Sequence, residues 1–368
     1  MRLLIGQTGA PTAVVNASLH GFLSAAAGHE VLALRGGPDG LVAGSFTPVT
    51  PADVPAAATR RGGSWLGAGR RAVTVDDLDA ALDSLDRHEV DGVSLIGGNG
   101  TMALLHALGE RAAARGRPLV TVGIPKTVDN DLAGVDHSPG YASAARYLTR
   151  VVPDLARDHA AMAGVEPVRI VETLGRSVGW LALAATWHAD DPAHAPHLVL
   201  LPEVPFDRTV FLDRVADALA THGRAFVVVS EGAAPGLTDE PFHAGNHTRI
   251  LLGGVSRVLA GTVGTELGVA ARGEVLGMTQ RSAGALASEV DRREATEVGR
   301  QAARLLLDRA GGVLVGLHRR PGDSYDVGYD PVPLADVAGR TRTVPEQWRT
   351  THPTELDDFH RWLEPLLG

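Results

Sequence analysis

The chain has 368 residues, 43 acidic against 34 basic side chains, a formal charge of −9 and no cysteine. This length calls for two α/β domains or one large one, the charge argues against nucleic acid or an anionic membrane as partner, and the absent thiols exclude disulfides and Cys-ligated zinc. The apolar start of MRLLIGQTGA is too short for a secretory segment and no run approaches the ~18–20 apolar residues that span a bilayer, so a cytoplasmic enzyme is expected.

In chain order, a strand over 3–6 passes through GQTGAPT (6–12) into a helix over 13–27. Small residues there let backbone N–H groups approach a phosphate at a helix N-terminus, although alone the pattern equally fits a turn that binds nothing. A strand over 31–34 and a helix over 75–86 lead to a strand over 92–96 and a second such turn, IGGNGTM (96–102). Gly97, Gly98 and Gly100 leave no Cβ in the path of a polyphosphate, and Thr101 is placed as N-cap of a helix over 102–115.

The next strand, 119–124, ends in PKTVDND (125–131), which sets a cation, a hydroxyl and two carboxylates in an extended loop whose alternate side chains share a face. Phosphoryl transfer needs such a set: a carboxylate to position and deprotonate the attacking hydroxyl, a second acid for Mg²⁺ and a cation on the transferring group. The pattern assigns Asp129 as base, Asp131 as metal-side acid and Lys126 as cation. Lys126 is the single lysine among the 34 basic residues, so its retention calls for a reason, and a compact ammonium on a flexible stem provides one.

A helix over 141–159 and a strand over 169–171 lead to ETLGRSVGW (172–180), where Gly175 and Arg176 interrupt a strand-to-helix passage and the arginine can clamp a phosphate. A strand over 198–201, a helix over 207–222 and a strand over 225–230 follow, with Glu231 placed at a strand end to accept a sugar hydroxyl. Residues 233–246 read as an exposed connection before a helix over 247–267. Arg272 and Arg281 bracket a strand EVLGMTQ and could grip a second phosphate. A helix over 283–310, a strand over 313–317, a polar stretch over 321–329 and a C-terminal tail complete the chain. The alternation predicts an α/β protein with parallel sheets covered by helices.

GGNGT, PKTVDND, LGR followed by GW, LPEVPFD and SEG, in this order, resemble the phosphofructokinase family over nearly the whole chain. The resemblance implies two Rossmann-like three-layer αβα domains with mostly parallel sheets. The donor-binding domain is expected over 1–140 plus about 280–310, the sugar-phosphate domain over 141–279 plus about 311–345, and a tail from about 346. It further implies a homo-oligomer, dimer or tetramer, that moves a phosphoryl group onto the 1-hydroxyl of fructose 6-phosphate with Mg²⁺. Residue by residue, it makes Asp129 the base, with Thr127 and Asp131 beside it and Arg176 at the transferred phosphoryl group. Donor contacts fall at Gly9, Arg70, Gly98, Asn99, Gly100 and Thr101. Acceptor contacts fall at Thr127, Asp129, Asp131, Leu174, Gly175, Arg176, Glu231, Arg272 and Arg281, and metal contacts at Asp131 and Asn99.

QTGAPTAVVN, the long PKTVDND segment and LPEVPFD resemble the branch of the family that uses pyrophosphate. That branch usually carries an aspartate at the position of Gly100, where it is thought to fill the space of a nucleotide's α-phosphate. Gly100 removes both bulk and like charge, which favours ATP as donor over pyrophosphate. Asn99 replaces a magnesium-side aspartate of many ATP users. Pro167 and Met278 replace an arginine and a histidine that many relatives place on the 6-phosphate, so another sugar phosphate is a further acceptor to expect.

Overall fold

The computed structural model describes residues 1–368 except 70, 189–195, 238–239, 245–246, 252 and 323, and describes residues 240–244 and 247–251 by backbone alone. The chain first lays down β1 (Arg2–Gln7), α1 (Val15–Ala25), β2 (Glu30–Leu34), α2 (Pro38–Ala43), β3 (Phe46–Pro48), α3 (Val75–Arg87), β4 (Gly92–Gly97), α4 (Asn99–Ala114) and β5 (Val120–Pro125). It continues with α5 (Tyr141–Met162), β6 (Val168–Thr173), α6 (Trp180–Ala184), β7 (Leu198–Leu200), α7 (Arg208–His222), β8 (Ala225–Ser230), β9 (Glu240–Ala244), β10 (His247–Leu251), α8 (Val255–Leu267), β11 (Ala271–Val275) and α9 (Thr279–Ser282). The last part holds α10 (Glu289–Leu307), β12 (Val313–Arg319), β13 (Val327–Pro333), α11 (Leu334–Val337) and α12 (Asp357–Leu367). No described helix is long and apolar enough to cross a membrane.

These elements form two compact units, Met1–Ser143 with Arg281–Arg342 and Gly368, and Ala144–Gln280 with Thr343–Leu367. In the first, seven strands lie in the order β13-β12-β5-β4-β1-β2-β3, with the five inner strands parallel and antiparallel partners at both edges. Every residue of β4 and β5 is buried, as expected for inner strands covered on both faces. Alternation along β1 sends Leu3 and Ile5 into one layer, with Phe22 of α1 and Val298 and Leu306 of α10, and Leu4 into the other, with Leu82 of α3 and Leu105 of α4. Helices α1 and α10 approach so closely that a Cβ on Gly21 would lie 1.9 Å from the Thr296 carbonyl oxygen, so glycine is required there.

The second unit carries a parallel sheet ordered β11-β6-β8-β7, packed on one face by α7 and α8 through Phe211, Val215, Leu259 and Val263. Trp180 of α6 packs against Trp348, Phe359 and Trp362 of the C-terminal segment.

Four expectations change, the first being that the strand expected over EVLGMTQ is β11, which contains Arg272 and ends at Val275, with α9 following. The strand over 313–317 belongs to the first unit, because β12 pairs with β5, and the tail belongs to the second. The helix expected over 247–267 starts only at Val255: residues 247–251 form β10 opposite β9, and Gly253 and Gly254 (φ 132° and 92°) break the path between them. The polar stretch beginning at 321 runs into a strand, β13, at the sheet edge.

Candidate active site

Parallel strands deliver their carboxyl ends, and the turns that follow them, to one edge of a sheet. In the first unit β1, β4 and β5 are neighbours, and their three turns are cross-linked. Thr8 N donates to Ile96 O at 3.0 Å and Lys126 N to Gly97 O at 2.9 Å. The Thr8 and Thr101 hydroxyls are 2.5 Å apart and buried. Thr101 is therefore not a cap. Strand β4 passes directly into α4 through Gly98, which occupies the cap position, and Thr101 lies a turn inside the helix holding the first loop.

The Lys126 side chain, 3 % exposed, turns under the first loop and donates to the carbonyls of Thr8, at 3.3 Å, and Ala10. Gly9 is left-handed (φ 73°), and a Cβ there would approach the ammonium to 3.5 Å. A Cβ on Gly98 would meet the Lys126 carbonyl at the same distance. Both distances are ordinary contacts, and it is the left-handed backbone that favours glycine at Gly9. Gly100 differs: it is exposed, in the first turn of α4, and a Cβ on it meets nothing within 4 Å.

The PKTVDND segment is not uniformly extended. Asn130 is left-handed (φ 57°) and fully buried, and its Oδ1 accepts Ser138 N at 3.0 Å. Around this bend the Thr127 hydroxyl donates to Asp131 Oδ1 at 3.0 Å and accepts Asp129 N at 3.1 Å. Asn99 Nδ2 donates to Asp131 Oδ2 at 2.8 Å and to the Asp131 carbonyl at 3.1 Å. Asn99, Thr127, Asp129 and Asp131 therefore form one constellation, with Asp129 and Asp131 both half-buried.

This set fits Mg²⁺. Asn99 Oδ1 is buried with no hydrogen-bond partner among the described residues, and it belongs to the amide that touches the Asp131 carboxylate. One amide oxygen and one carboxylate are few ligands, as expected for an ion that keeps much of its shell in water and phosphate oxygens. Among the described residues no group of three or more histidines and acids could hold a metal alone. Arg70 lies outside the described residues.

In the second unit the turns after β6 and β8 interlock. Glu231 N donates to Thr173 O at 3.0 Å, Gly232 N to Gly175 O at 3.3 Å and the Ser230 hydroxyl to Gly175 O at 2.6 Å. Gly175 (φ 133°) admits no Cβ, which would fall 2.4 Å from Ser230 Oγ. Leu174 N is held by the buried Gln280 Oε1 at 3.1 Å. Beyond this packed base Arg176 is exposed and Glu231 half-buried. Gln280 was not among the expected residues; its only sequence signal is a neutral polar residue next to Arg281. Glu172 was also missed. Its buried carboxylate accepts Gly254 N and Ser256 N at the start of α8, a signal visible as an acid closing an apolar strand.

Arg272 is not brought to these turns. It lies in β11 in register with Arg169 of β6, about 20 Å along the strand direction from Gly175 at ~3.3 Å per residue. Its guanidinium donates to Glu166, at 2.8 Å for Nε, and holds that carboxyl below its usual range. Pro167 adjoins it, since Val168 is in register with Ala271. Arg281 ends near the close of α9, where the chain leaves the second unit, and Met278 is 52 % exposed.

The family profile named Phosphofructokinase matches residues 2–306. A sulfofructose kinase from Alkalicoccus urumqiensis is 36% identical over 100% of this chain and 96% of its own length. A pyrophosphate--fructose 6-phosphate 1-phosphotransferase from Rhodospirillum rubrum is 32% identical over 100% and 94%. The crystal structure of a pyrophosphate-dependent phosphofructokinase from Marinobacter aquaeolei superimposes with a TM-score of 0.88 at 27% identity, covering 100% of this chain and 91% of that one. With the two α/β units and the three cross-linked turns, these matches place the chain in the phosphofructokinase family, as a phosphotransferase.

Proposed function

We propose that this enzyme moves the γ-phosphoryl group of ATP to the 1-hydroxyl of a ketohexose carrying an anion at C6, with sulfofructose preferred over fructose 6-phosphate. The observation that carries the reaction is the constellation of Asn99, Thr127, Asp129 and Asp131 beside the Gly9 turn and its buried ammonium. Asp129 takes the hydroxyl proton, and Thr127 sets the loop by bonding both the Asp129 amide and the Asp131 carboxylate. Lys126 fixes the first turn and lends it positive charge where phosphate oxygens approach. Asn99 and Asp131 would hold Mg²⁺, which supplies charge neutralisation on the phosphates. Within the second unit, the exposed guanidinium of Arg176 suits a phosphoryl group and the half-buried carboxylate of Glu231 suits a sugar hydroxyl.

Two arguments refine the substrates. Open space at Gly100 supports the longer donor, since nothing opposes an α-phosphate there. Pro167 and Met278 withdraw two expected cationic contacts from the C6 anion, each worth roughly 1.5–3 kcal/mol. A sulfonate carries one negative charge and a phosphate ester close to two, so a less positive pocket favours the sulfonate. The sulfofructose kinase relative points the same way. The second reading, fructose 6-phosphate, keeps support from Arg272 and Arg281. Because Arg272 lies far along its strand from Arg176 and Glu231, its grip on the same sugar requires a second copy of the chain, in keeping with the expected homo-oligomer.

The test offers the purified enzyme sulfofructose and fructose 6-phosphate, each with ATP or pyrophosphate. The expected result is the highest kcat/KM for sulfofructose with ATP. A preference for fructose 6-phosphate overturns the acceptor, better use of pyrophosphate overturns the donor, and no transfer in any combination overturns the function.

A further inference from the structure

We infer that His137, clamped as an imidazolium between Asp136 and Glu294, is a positioning residue that sets the backbone of the loop bearing Thr127, Asp129 and Asp131. The inference rests on the assignment of that loop to phosphoryl transfer.

The loop from the end of β5 doubles back on itself. Thr127 N donates to Pro139 O at 3.2 Å, Thr127 and Gly140 form a parallel bridge, and Ser138 N reaches the Asn130 side chain. Residues 137–140 are thus the backing against which 127–131 are folded, and the backing is fastened to α10 at two points one turn apart. Asp291, fully buried, accepts Gly140 N at 2.9 Å, Ser143 N at 2.9 Å and the Ser143 hydroxyl. Glu294 accepts His137 Nε2 at 2.8 Å. A shift of α10 or of His137 is transmitted through Pro139 and Ser138 to the Thr127 amide and the Asn130 bend.

The charge on His137 follows from its partners. Nδ1 lies 2.8 Å from Asp136 Oδ1 and Nε2 lies 2.8 Å from Glu294 Oε2, and the ring is fully buried. A neutral imidazole has one N–H and cannot donate to both carboxylates. Other charged or titratable groups face this pair from the neighbouring elements. Tyr325, between β12 and β13, places its hydroxyl 3.3 Å from Nε2 and donates it to Glu294 Oε1. Arg319 of β12 lies 3.4 Å from Asp136 and 5.0 Å from the Tyr325 ring centre. Arg342 and Tyr141 act on Asp136 from its other surroundings, and Asp291 on Glu294 from the same helix. Burial opposes protonation of the ring, but the hydrogen bonds and charges of Asp136 and Glu294 outweigh it and push the imidazole up to about 9.

The test measures kcat and KM against pH for the intact enzyme, His137→Gln and Glu294→Gln. His137→Gln is expected to lower kcat at least tenfold while both KM values stay within about twofold. In the wild type kcat falls on the alkaline side as His137 loses its proton, and Glu294→Gln, which keeps shape but removes one charge, moves that limb down by about one pH unit or more. This shift is read within one folded variant. An unmoved limb, or a folded His137→Gln enzyme with wild-type kcat, overturns the inference. Failure of Asp129→Asn to reduce kcat overturns the loop assignment itself, a separate result.

Discussion

Two sets of ion pairs in the first unit differ in where they stand. On the outside, α3 is laced to the end of α4 and the turn after it by a ladder in which Arg111 makes two 2.6 Å bonds to Asp79, Arg115 reaches Asp79 and Asp83, and Arg117 reaches Asp86. Inside, His137 lies between Asp136 and Glu294 with Tyr325 and Arg319 beyond. The geometry of the outer set is as good as that of the inner one. Solvent takes over whatever a surface pair gives up, whereas a buried charge that loses its partner finds no water. The ladder therefore decorates helices that packing already holds, while the inner set decides where a loop can lie.

The contrast breaks most sharply at Glu294. Truncation to alanine strands the His137 charge and is expected to cost about 3–5 kcal/mol in urea denaturation; a loss no larger than that of a surface substitution would erase the distinction. Next in size, Asp129→Asn should lower kcat by ~10² or more with the urea midpoint unchanged, which separates the loop's chemistry from the brace behind it. A midpoint shift would show that Asp129 also holds the fold. A smaller effect is read from pH. The folded-state pKa of His137 lies above the ordinary value of ~6.5, so its contribution to stability is fully present below ~6.5 and is lost as pH rises through about 9. Unfolding free energy should therefore decline from pH 7 to 9 in the wild type and decline less in His137→Gln. The smallest change belongs to the ladder: Asp79→Ala should leave the midpoint within experimental scatter, and added salt should alter it no further.

What sequence could and could not reveal follows the same division between local and distant. The runs forming β1, β4, β5, β6 and β8 are short, apolar and bounded by glycine, so they were readable where they stand. The motif residues Asn99, Thr127, Asp129 and Asp131 lie in two such turns, and neighbouring parallel strands bring them together. Strand β13, VGYDPVP, carries two prolines and reads as loop; it is a strand because an edge position spares the missing N–H groups. Helix α12 reads as part of a tail because its apolar face meets partners such as Trp180 that lie far back in the chain. His137 and Glu294 are 157 positions apart, and nothing near either residue points to the other. The left-handed bend at Asn130 likewise depends on Ser138 eight residues later, so the loop read as extended.

The lone lysine has one more consequence. Apart from the α-amino group, the chain offers amine-directed reagents a single target, and that target is 3 % exposed beneath the carbonyls of Thr8 and Ala10. The rate at which an amine-directed acylating probe reaches Lys126, followed by mass spectrometry, therefore reports the opening of the loop over residues 8–10 in unmodified enzyme, with no engineered label and no second lysine to resolve.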